Sequence, residues 1–268
     1  MKTESARLLF LGTGASMGVP VIGCPCAVCQ SKSPYNKRLR PSVLLEVGDK
    51  KILVDCGPDF REQALRIKLD KLDGVIFTHA HNDHTAGIDD LRMLVMKNDK
   101  PLPCLLSQET ADDIKRRFYY LFNSEIKPTS GQFLTRFDMQ ILDQEYGETI
   151  FQGINIRHIS YWQMGMLVNG FRIGNLAYIS DVRDYPSTIF EALEGIDTLV
   201  LSALRMEPSK MHLSVDEAIE LAHRIGAKQT FFMHIAHELD HDKLNEYLPE
   251  NIQMAYDGLE LQFLAEIR

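Results

Sequence analysis

The run His79-Ala80-His81-Asn82-Asp83-His84 constrains this chain more than any other feature. It follows the apolar stretch Gly74-Val75-Ile76-Phe77, which reads as a short buried strand. The run therefore falls on the loop leaving the strand's C-terminal end, where three imidazoles and a carboxylate converge on one point. A regular strand or helix does not gather side chains at this spacing. Imidazole suits zinc, manganese and iron, and a carboxylate beside it suits the harder of these ions.

Other strands are expected to end in the same chemistry. His158 ends Ile154-Asn155-Ile156-Arg157, Asp181 ends Leu176-Ala177-Tyr178-Ile179-Ser180, and His234 ends Thr230-Phe231-Phe232-Met233. Singly, each reads as a capping or satisfied core residue. Together, four strand ends delivering His or Asp fit a site on one edge of a sheet sandwich. Further strands are expected at Arg7–Leu11, Ser42–Val47, Lys51–Val54 and Thr198–Leu201, with Gly48-Asp49 as the turn between the middle two. Helical spacing appears over Phe60–Leu69, Asp89–Met96, Ala111–Phe122 and Val215–Ile225, and Ser214-Val215-Asp216-Glu217 opens the last as a capping box. Strands interleaved with helices predict an α/β class. With no repeat, low-complexity tract or linker, a single domain over 1–268 is expected. The stretch from Asn98 to Gln152 has the weakest pattern and is expected to be a connecting excursion over the site.

A net charge of -8 and a pI near 5.6 disfavour a long polyanionic partner, because non-specific nucleic-acid binding rests on Lys and Arg meeting phosphates. Lys2, Glu4 and Arg7 interrupt the N-terminal segment, and no apolar run approaches the roughly 20 residues needed to span a bilayer. A cytoplasmic protein without a membrane partner is the expectation. Cys24, Cys26 and Cys29 are clustered too tightly for a disulfide framework and read as soft ligands of a structural zinc, which wants four. Spacing leaves His237, His241, Cys56 and Cys104 open as the fourth. Cys56 and Cys104 stand alone, as small buried side chains do.

The order His-x-His-x-Asp-His, then a His, an Asp and a His, resembles the ligand order of the metallo-β-lactamase superfamily, over essentially the whole chain. The resemblance implies an αββα sandwich with two divalent ions at its active site, Zn2+ or Mn2+, with Fe also compatible. His79, His81 and His158 then hold one ion, Asp83, His84 and His234 the other, and Asp181 bridges them. Asp55, in Leu53-Val54-Asp55-Cys56-Gly57, matches the family aspartate that orients ligands from behind. Such an ion pair makes hydroxide available at neutral pH and clamps the attacked centre. The bridging Asp181 argues against a true β-lactamase.

The cysteine cluster and Leu11-Gly12-Thr13-Gly14 resemble the phosphoribosyl 1,2-cyclic phosphate phosphodiesterase branch, the PhnP type. That resemblance assigns one structural Zn2+ to Cys24, Cys26, Cys29 and His237, within His234-Ile235-Ala236-His237. It also makes His212, in Lys210-Met211-His212-Leu213-Ser214, the residue that protonates the leaving oxygen or holds a phosphoryl oxygen. Met211 departs from the branch's asparagine, and the loop expected after His158, Ile159-Ser160-Tyr161-Trp162-Gln163-Met164, is more aromatic and less basic than a phosphate-seeking loop need be. Arg183, Arg205 and Lys210 are the candidate cations for a terminal phosphate.

The function implied is hydrolysis of a small cyclic phosphodiester by bridging hydroxide, with Asp83 and Asp181 fixing the metals. A tRNA 3′-processing nuclease and a thioester or lactone hydrolase of the glyoxalase II kind are the alternatives. Homodimers are common in that branch, and the resemblance leaves a homodimer open.

Overall fold

Strands that are apolar on both faces need material on either side of the sheet, and the chain supplies it. The computed structural model describes residues 1–98, 100–122 and 136–268. In chain order the strands are β1 (Lys2–Gly12), β2 (Ser42–Val47), β3 (Lys50–Val54), β4 (Gly74–Ile76), β5 (Leu102–Ser107), β6 (Phe137–Leu142), β7 (Tyr146–Phe151), β8 (Ile154–Gln163), β9 (Met166–Ile173), β10 (Leu176–Ile179), β11 (Thr198–Ser202), β12 (Gln229–Met233), β13 (Ile252–Met254) and β14 (Glu260–Ile267). Their hydrogen-bonded order is β13-β12-β11-β10-β9-β8-β14-β1-β2-β3-β4-β5-β6, and β7 pairs with β8.

Alternation within single strands shows how the layers stack. Leu8 and Phe10 enter a core with Val43, Ile52 and Ile76, and Tyr178, Val200 and Phe231 from the other half of the sheet enter the same core. Leu9 and Leu11 point the opposite way, onto Phe60, Leu91 and Leu94, which come from the segments Phe60–Arg66 and Ile88–Asn98. In the other half Leu199, Leu201 and Phe232 face Ala218 and Leu221 on the helix Val215–Ile225. The result is helix, sheet, sheet, helix: an αββα sandwich. Each fully buried Leu or Phe contributes roughly 1.5–3 kcal/mol, and the inter-sheet core draws them from both halves.

Topology positions the site. β3, β4 and β5 run parallel, as do β10, β11, β12 and β13. Parallel pairing brings the C-terminal ends of β3 and β4 side by side on one edge, and those of β10 and β12 flank β11. The loops leaving these ends carry Asp55, His79, Asp181 and His234.

Two expectations need correction. The described residues between Asn98 and Gln152 are not an irregular excursion over the site: they supply β5, the helix Gln108–Arg117, the turn Tyr119–Phe122, β6 and β7. Residues 99 and 123–135 lie outside the described residues. β6 and β7 mix exposed and half-buried side chains, so they lack the continuous apolar run that marks the central strands. The helix expected at Ala111–Phe122 begins earlier, because the Ser107 side chain accepts from Thr110 N and caps it. Among the described residues, no helix is long and apolar enough to cross a membrane.

Candidate metal centre

Three of the strand ends turn sharply to aim their side chains. Asp55, Asp181 and His234 adopt φ of 62°, 56° and 59°, the left-handed region that non-glycine residues rarely occupy. Such strain persists where the surrounding structure over-determines it, and it clusters at functional sites. The loop after β4 continues into the single helical turn Asn82–Thr85, which faces Asp83 and His84 toward the same point.

Two groups of ligand atoms result, each within 4.8 Å: Asp83, His84, Asp181 and His234 in one, and His79, His81 and Asp181 in the other. His84 Nε2 lies 3.5 Å from both Asp83 Oδ2 and Asp181 Oδ2. His234 Nε2 lies 3.4 Å from the same two oxygens. Two ligands bound tetrahedrally at about 2.1 Å stand about 3.4 Å apart, so these spacings fit one cation shared among them. Both Nε2 atoms are buried without a hydrogen-bond partner, a costly state for polar atoms that a cation relieves. In the second group His79 Nε2 is 2.9 Å from His81 Nδ1 and 3.7 Å from Asp181 Oδ2.

Charge in the cluster is mutually sustained. Burial works to raise the Asp181 pKa, but His234 and His84 carry it well below the ordinary carboxylate value. Asp83 is likewise lowered against burial, chiefly by His84 and His234. The His84 imidazole is pushed well above its usual value by Asp181, Asp55 and Asp83 despite burial, whereas burial and the neighbouring His84 hold His79 well below it. The donor set is anionic oxygen and imidazole, suited to zinc, manganese or iron.

Asp55 stands behind this shell, fully buried. Its Oδ1 accepts from Thr78 N at 2.8 Å, and its Oδ2 accepts from Thr78 Oγ1 at 2.8 Å and from His84 Nδ1 at 2.7 Å. Thr78 Oγ1 also lies 2.9 Å from His79 Nδ1, so one carboxylate and one hydroxyl set the rings of His79 and His84. Sequence reasoning did not single out Thr78; its signal was a hydroxyl residue directly before the first ligand.

His158 is not brought to this site. Its Nε2 is 3.0 Å from Gln144 O, and its ring packs over Gly147, where a Cβ would meet it at 3.0 Å. The physical reason is strand length. β8 does not stop at Arg157 but runs on to Gln163, so His158 is mid-strand, on the side of Ile154 and Ile156. The residue delivered at the strand's end is Gln163, whose Nε2 is 3.4 Å from Asp181 Oδ2. Gln163 Nε2 also lies 2.9 Å from His212 Nε2. His212 is buried and stacked on the His234 ring, centroids 4.7 Å apart. Burial lowers its pKa to about 4, with Asp181 opposing and His234 adding.

The cysteines form a second cluster. Cys24, Cys26, Cys29 and His237 lie within 4.8 Å of one another, and His237 Nδ1 is 3.4, 3.4 and 3.7 Å from the three sulfurs. Zinc bonds of about 2.3 Å to sulfur and 2.1 Å to nitrogen set those atoms about 3.6 Å apart in a tetrahedron. The Cys29 N–H, then His237, draw Cys26 down to about 6, while burial raises Cys29 to about 11; zinc ligation deprotonates a thiol outright. Cys56 and Cys104 lie instead in the core beneath the helices, and His241 is buried against Arg38. Ile235 N donates to Thr13 O at 3.0 Å and accepts Ala15 N at 2.9 Å through its carbonyl, which ties the cysteine segment to the loop carrying His234.

Of the cations considered for a terminal phosphate, Arg183 pairs with Glu217 at 2.8 Å and Arg205 with Glu238 at 3.5 Å. Lys210 is exposed. Tyr161 is core, its hydroxyl donating to Ser180 O at 2.6 Å, and Trp162 is half-buried.

Comparisons with known proteins show the family and the fold. The family described as a beta-lactamase superfamily domain matches residues 50–235. The crystal structure of a new diphosphatase from the PhnP family superposes with a TM-score of 0.90 at 36% identity, over 98% of this chain and 99% of that one. A Porphyromonas gingivalis protein named octanoyltransferase is 34% identical over 260 residues, 95% of this chain and 51% of its own length. A ribonuclease Z of Bradyrhizobium diazoefficiens is 37% identical over 86 residues, 31% of this chain and 23% of that protein. The chain thus spans about half the length of the first of these curated relatives and less than a quarter of the second.

Proposed function

The chain belongs to the metallo-β-lactamase superfamily of metal-dependent hydrolases, and on that premise we propose that it cleaves a phosphoric diester linkage in a small molecule with two divalent ions. The observation that carries this reading is the Asp181 carboxylate. Its Oδ2 stands 3.7 Å from His79 Nε2, 3.5 Å from His84 Nε2 and 3.4 Å from His234 Nε2. One oxygen at ligand spacing from both groups supports a bridging role and a paired site. The likeness to a diphosphatase, and the shorter likeness to ribonuclease Z, support phosphorus as the attacked centre.

When bound, the ions supply an acidified water at neutral pH and offset the charge gathering on the attacked group. His79, His81 and Asp181 hold one of them; Asp83, His84 and His234 share Asp181 for the other. Asp55 keeps the His84 proton on Nδ1, leaving Nε2 free as a donor. His212, its pKa lowered to about 4 by burial, holds a phosphoryl oxygen through a ring N–H. Cys24, Cys26, Cys29 and His237 hold a structural zinc that steadies the loop carrying His234.

The substrate proposed first is a cyclic phosphodiester. A diphosphate linkage is the second, favoured by what the PhnP-family relative is said to cleave. Hydrolysis of 2′,3′-cyclic nucleotides, phosphoribosyl 1,2-cyclic phosphate and a dinucleoside diphosphate by manganese-loaded protein separates them, with Asp181→Ala as control. Turnover of a cyclic ester that vanishes in the variant is expected. Turnover of the diphosphate alone selects the second reading. No turnover on any of them, in protein holding both ions, refutes phosphorus chemistry.

A further inference from the structure

The two halves of the centre are unequally furnished. Asp83, His84, Asp181 and His234 make a complete tetrahedral set, whereas the other group, among the described residues, counts only His79, His81 and Asp181 from the histidines, cysteines and acids. His158 does not fill the gap, being held against Gln144. Beside Asp181, the residue that group shares with the other, lies an amide. Gln163 is buried, at 2% exposure, and the end of its side chain lies 3.4 Å from Asp181 Oδ2. That is the spacing His234 and His84 keep from the same oxygen, 3.4 and 3.5 Å, and the spacing of two ligands on one ion. Gln163 Oε1 is buried and has no hydrogen-bond partner. An amide exchanges its oxygen and nitrogen by a half-turn about the terminal bond, which takes Nε2 away from Asp181 and from His212 Nε2, 2.9 Å off, and sets the oxygen there, facing the bound ion and able to accept an N–H from His212.

We propose that Gln163 is the remaining protein ligand of the ion held by His79, His81 and Asp181, binding through its amide oxygen. The inference rests on the dinuclear reading above and deepens it. A neutral carbonyl oxygen is a harder and weaker donor than imidazole. The half of the centre it serves therefore binds its ion more loosely than the half with His84 and His234, and shifts its preference from zinc toward manganese. Asp181, shared by both, keeps the weaker ion in register with the tighter one. The position of Gln163 follows from β8 and β9 meeting in a two-residue hairpin, Met164-Gly165, with φ of 47° and 82° and Gln163 paired to Met166. Positive φ at both turn residues matches strand twist and fixes Gln163 as the last residue of its strand.

The test is metal content and affinity, read without turnover. Zinc and manganese titrations against a chromophoric chelator, with elemental analysis after dialysis, are run on wild type, Gln163→Met, Gln163→His and His158→Phe. Circular dichroism melts accompany each. Wild type is expected to bind two ions at the catalytic centre with distinct affinities, beyond the zinc on the cysteines. Gln163→Met, close in size but without the oxygen, is expected to weaken the looser ion at least tenfold and leave the tighter one within about twofold. Gln163→His is expected to raise the ratio of zinc to manganese affinity at the looser position at least tenfold. That gain is read even if the methionine variant misfolds. His158→Phe is expected to keep both ions. A histidine variant with an unchanged zinc-to-manganese ratio, a folded methionine variant that binds like wild type, or loss of an ion in the His158 variant each overturns the assignment of Gln163 alone. A wild type that takes up a single catalytic ion overturns the dinuclear reading as well.

Discussion

Asp55→Asn isolates one atom of the centre. Asparagine keeps the shape of aspartate and tolerates the left-handed φ of 62° at this position, so the backbone has no reason to move. Its amide oxygen can still accept from Thr78 N. The nitrogen then replaces Oδ2, which accepts from His84 Nδ1 at 2.7 Å and from Thr78 Oγ1 at 2.8 Å. With His84 Nε2 turned to Asp83 and Asp181, the ring proton sits on Nδ1 and two N–H groups face each other in a dry site. Either the contact is lost or the tautomer flips and removes the free Nε2. A buried charge-assisted hydrogen bond is worth about 1.5–3 kcal/mol, and about 1.4 kcal/mol is tenfold in affinity. The ion on Asp83, His84 and His234 should therefore bind roughly 10- to 100-fold more weakly, a range typical of residues that orient ligands. The assay is a competitive zinc titration at pH 7.5, with the hydrolysis rate at saturating metal as a second readout. Affinity of that ion within twofold of wild type refutes the claim that Asp55 acts through His84; a loss at the other ion is expected as well, relayed by Thr78, whose Oγ1 donates to the same Oδ2 and lies 2.9 Å from His79 Nδ1.

Other perturbations test the scaffold. Gly57→Ala places a Cβ 2.0 Å from the Asp83 carbonyl oxygen, so the turn bearing Asp83 and His84 must shift, and metal content is expected to fall by one ion with the sheet intact by circular dichroism. Cys29→Ser should release the structural zinc and, through the Thr13 and Ala15 bonds to Ile235, also weaken the ion that His234 holds; elemental analysis that finds only the first loss argues against the coupling. His241 receives a hydrogen bond from Arg38 on Nδ1 at 3.0 Å, and burial, then Arg38, lowers its pKa. A base lowered on folding contributes stability above its unfolded value near 6.5 and loses it as pH falls toward the folded value. Melting temperature should therefore drop between pH 7 and pH 5, with a shallower slope in His241→Asn; parallel slopes would exclude this group as a source.

Ser214, capping the helix Val215–Ile225 with Glu217, needed only its local sequence. So did the central strands, because a strand buried on both faces must be apolar at every position, as in Val43-Leu44-Leu45 or Leu199-Val200-Leu201. The ligand run after β4 and the clustered cysteines were legible for a related reason: their chemistry is dense over a few residues. What tertiary structure decided lies at the ends of elements and across long separations. His237 completes the cysteine cluster because pairing of Gly14 with Ile235 brings segments more than 200 residues apart into contact. Gln163 replaces His158 at the edge because the length of β8 is set by its pairing with β9, and by a turn at Met164-Gly165 that lacks the Asn-Gly or Asp-Gly signature of such hairpins. A strand alternates its side chains with every residue, so misjudging where it ends misplaces each residue that the end delivers. Side-chain chemistry is carried by the residue itself; which of two polar residues on one strand reaches the site is fixed only when that strand finds its neighbour.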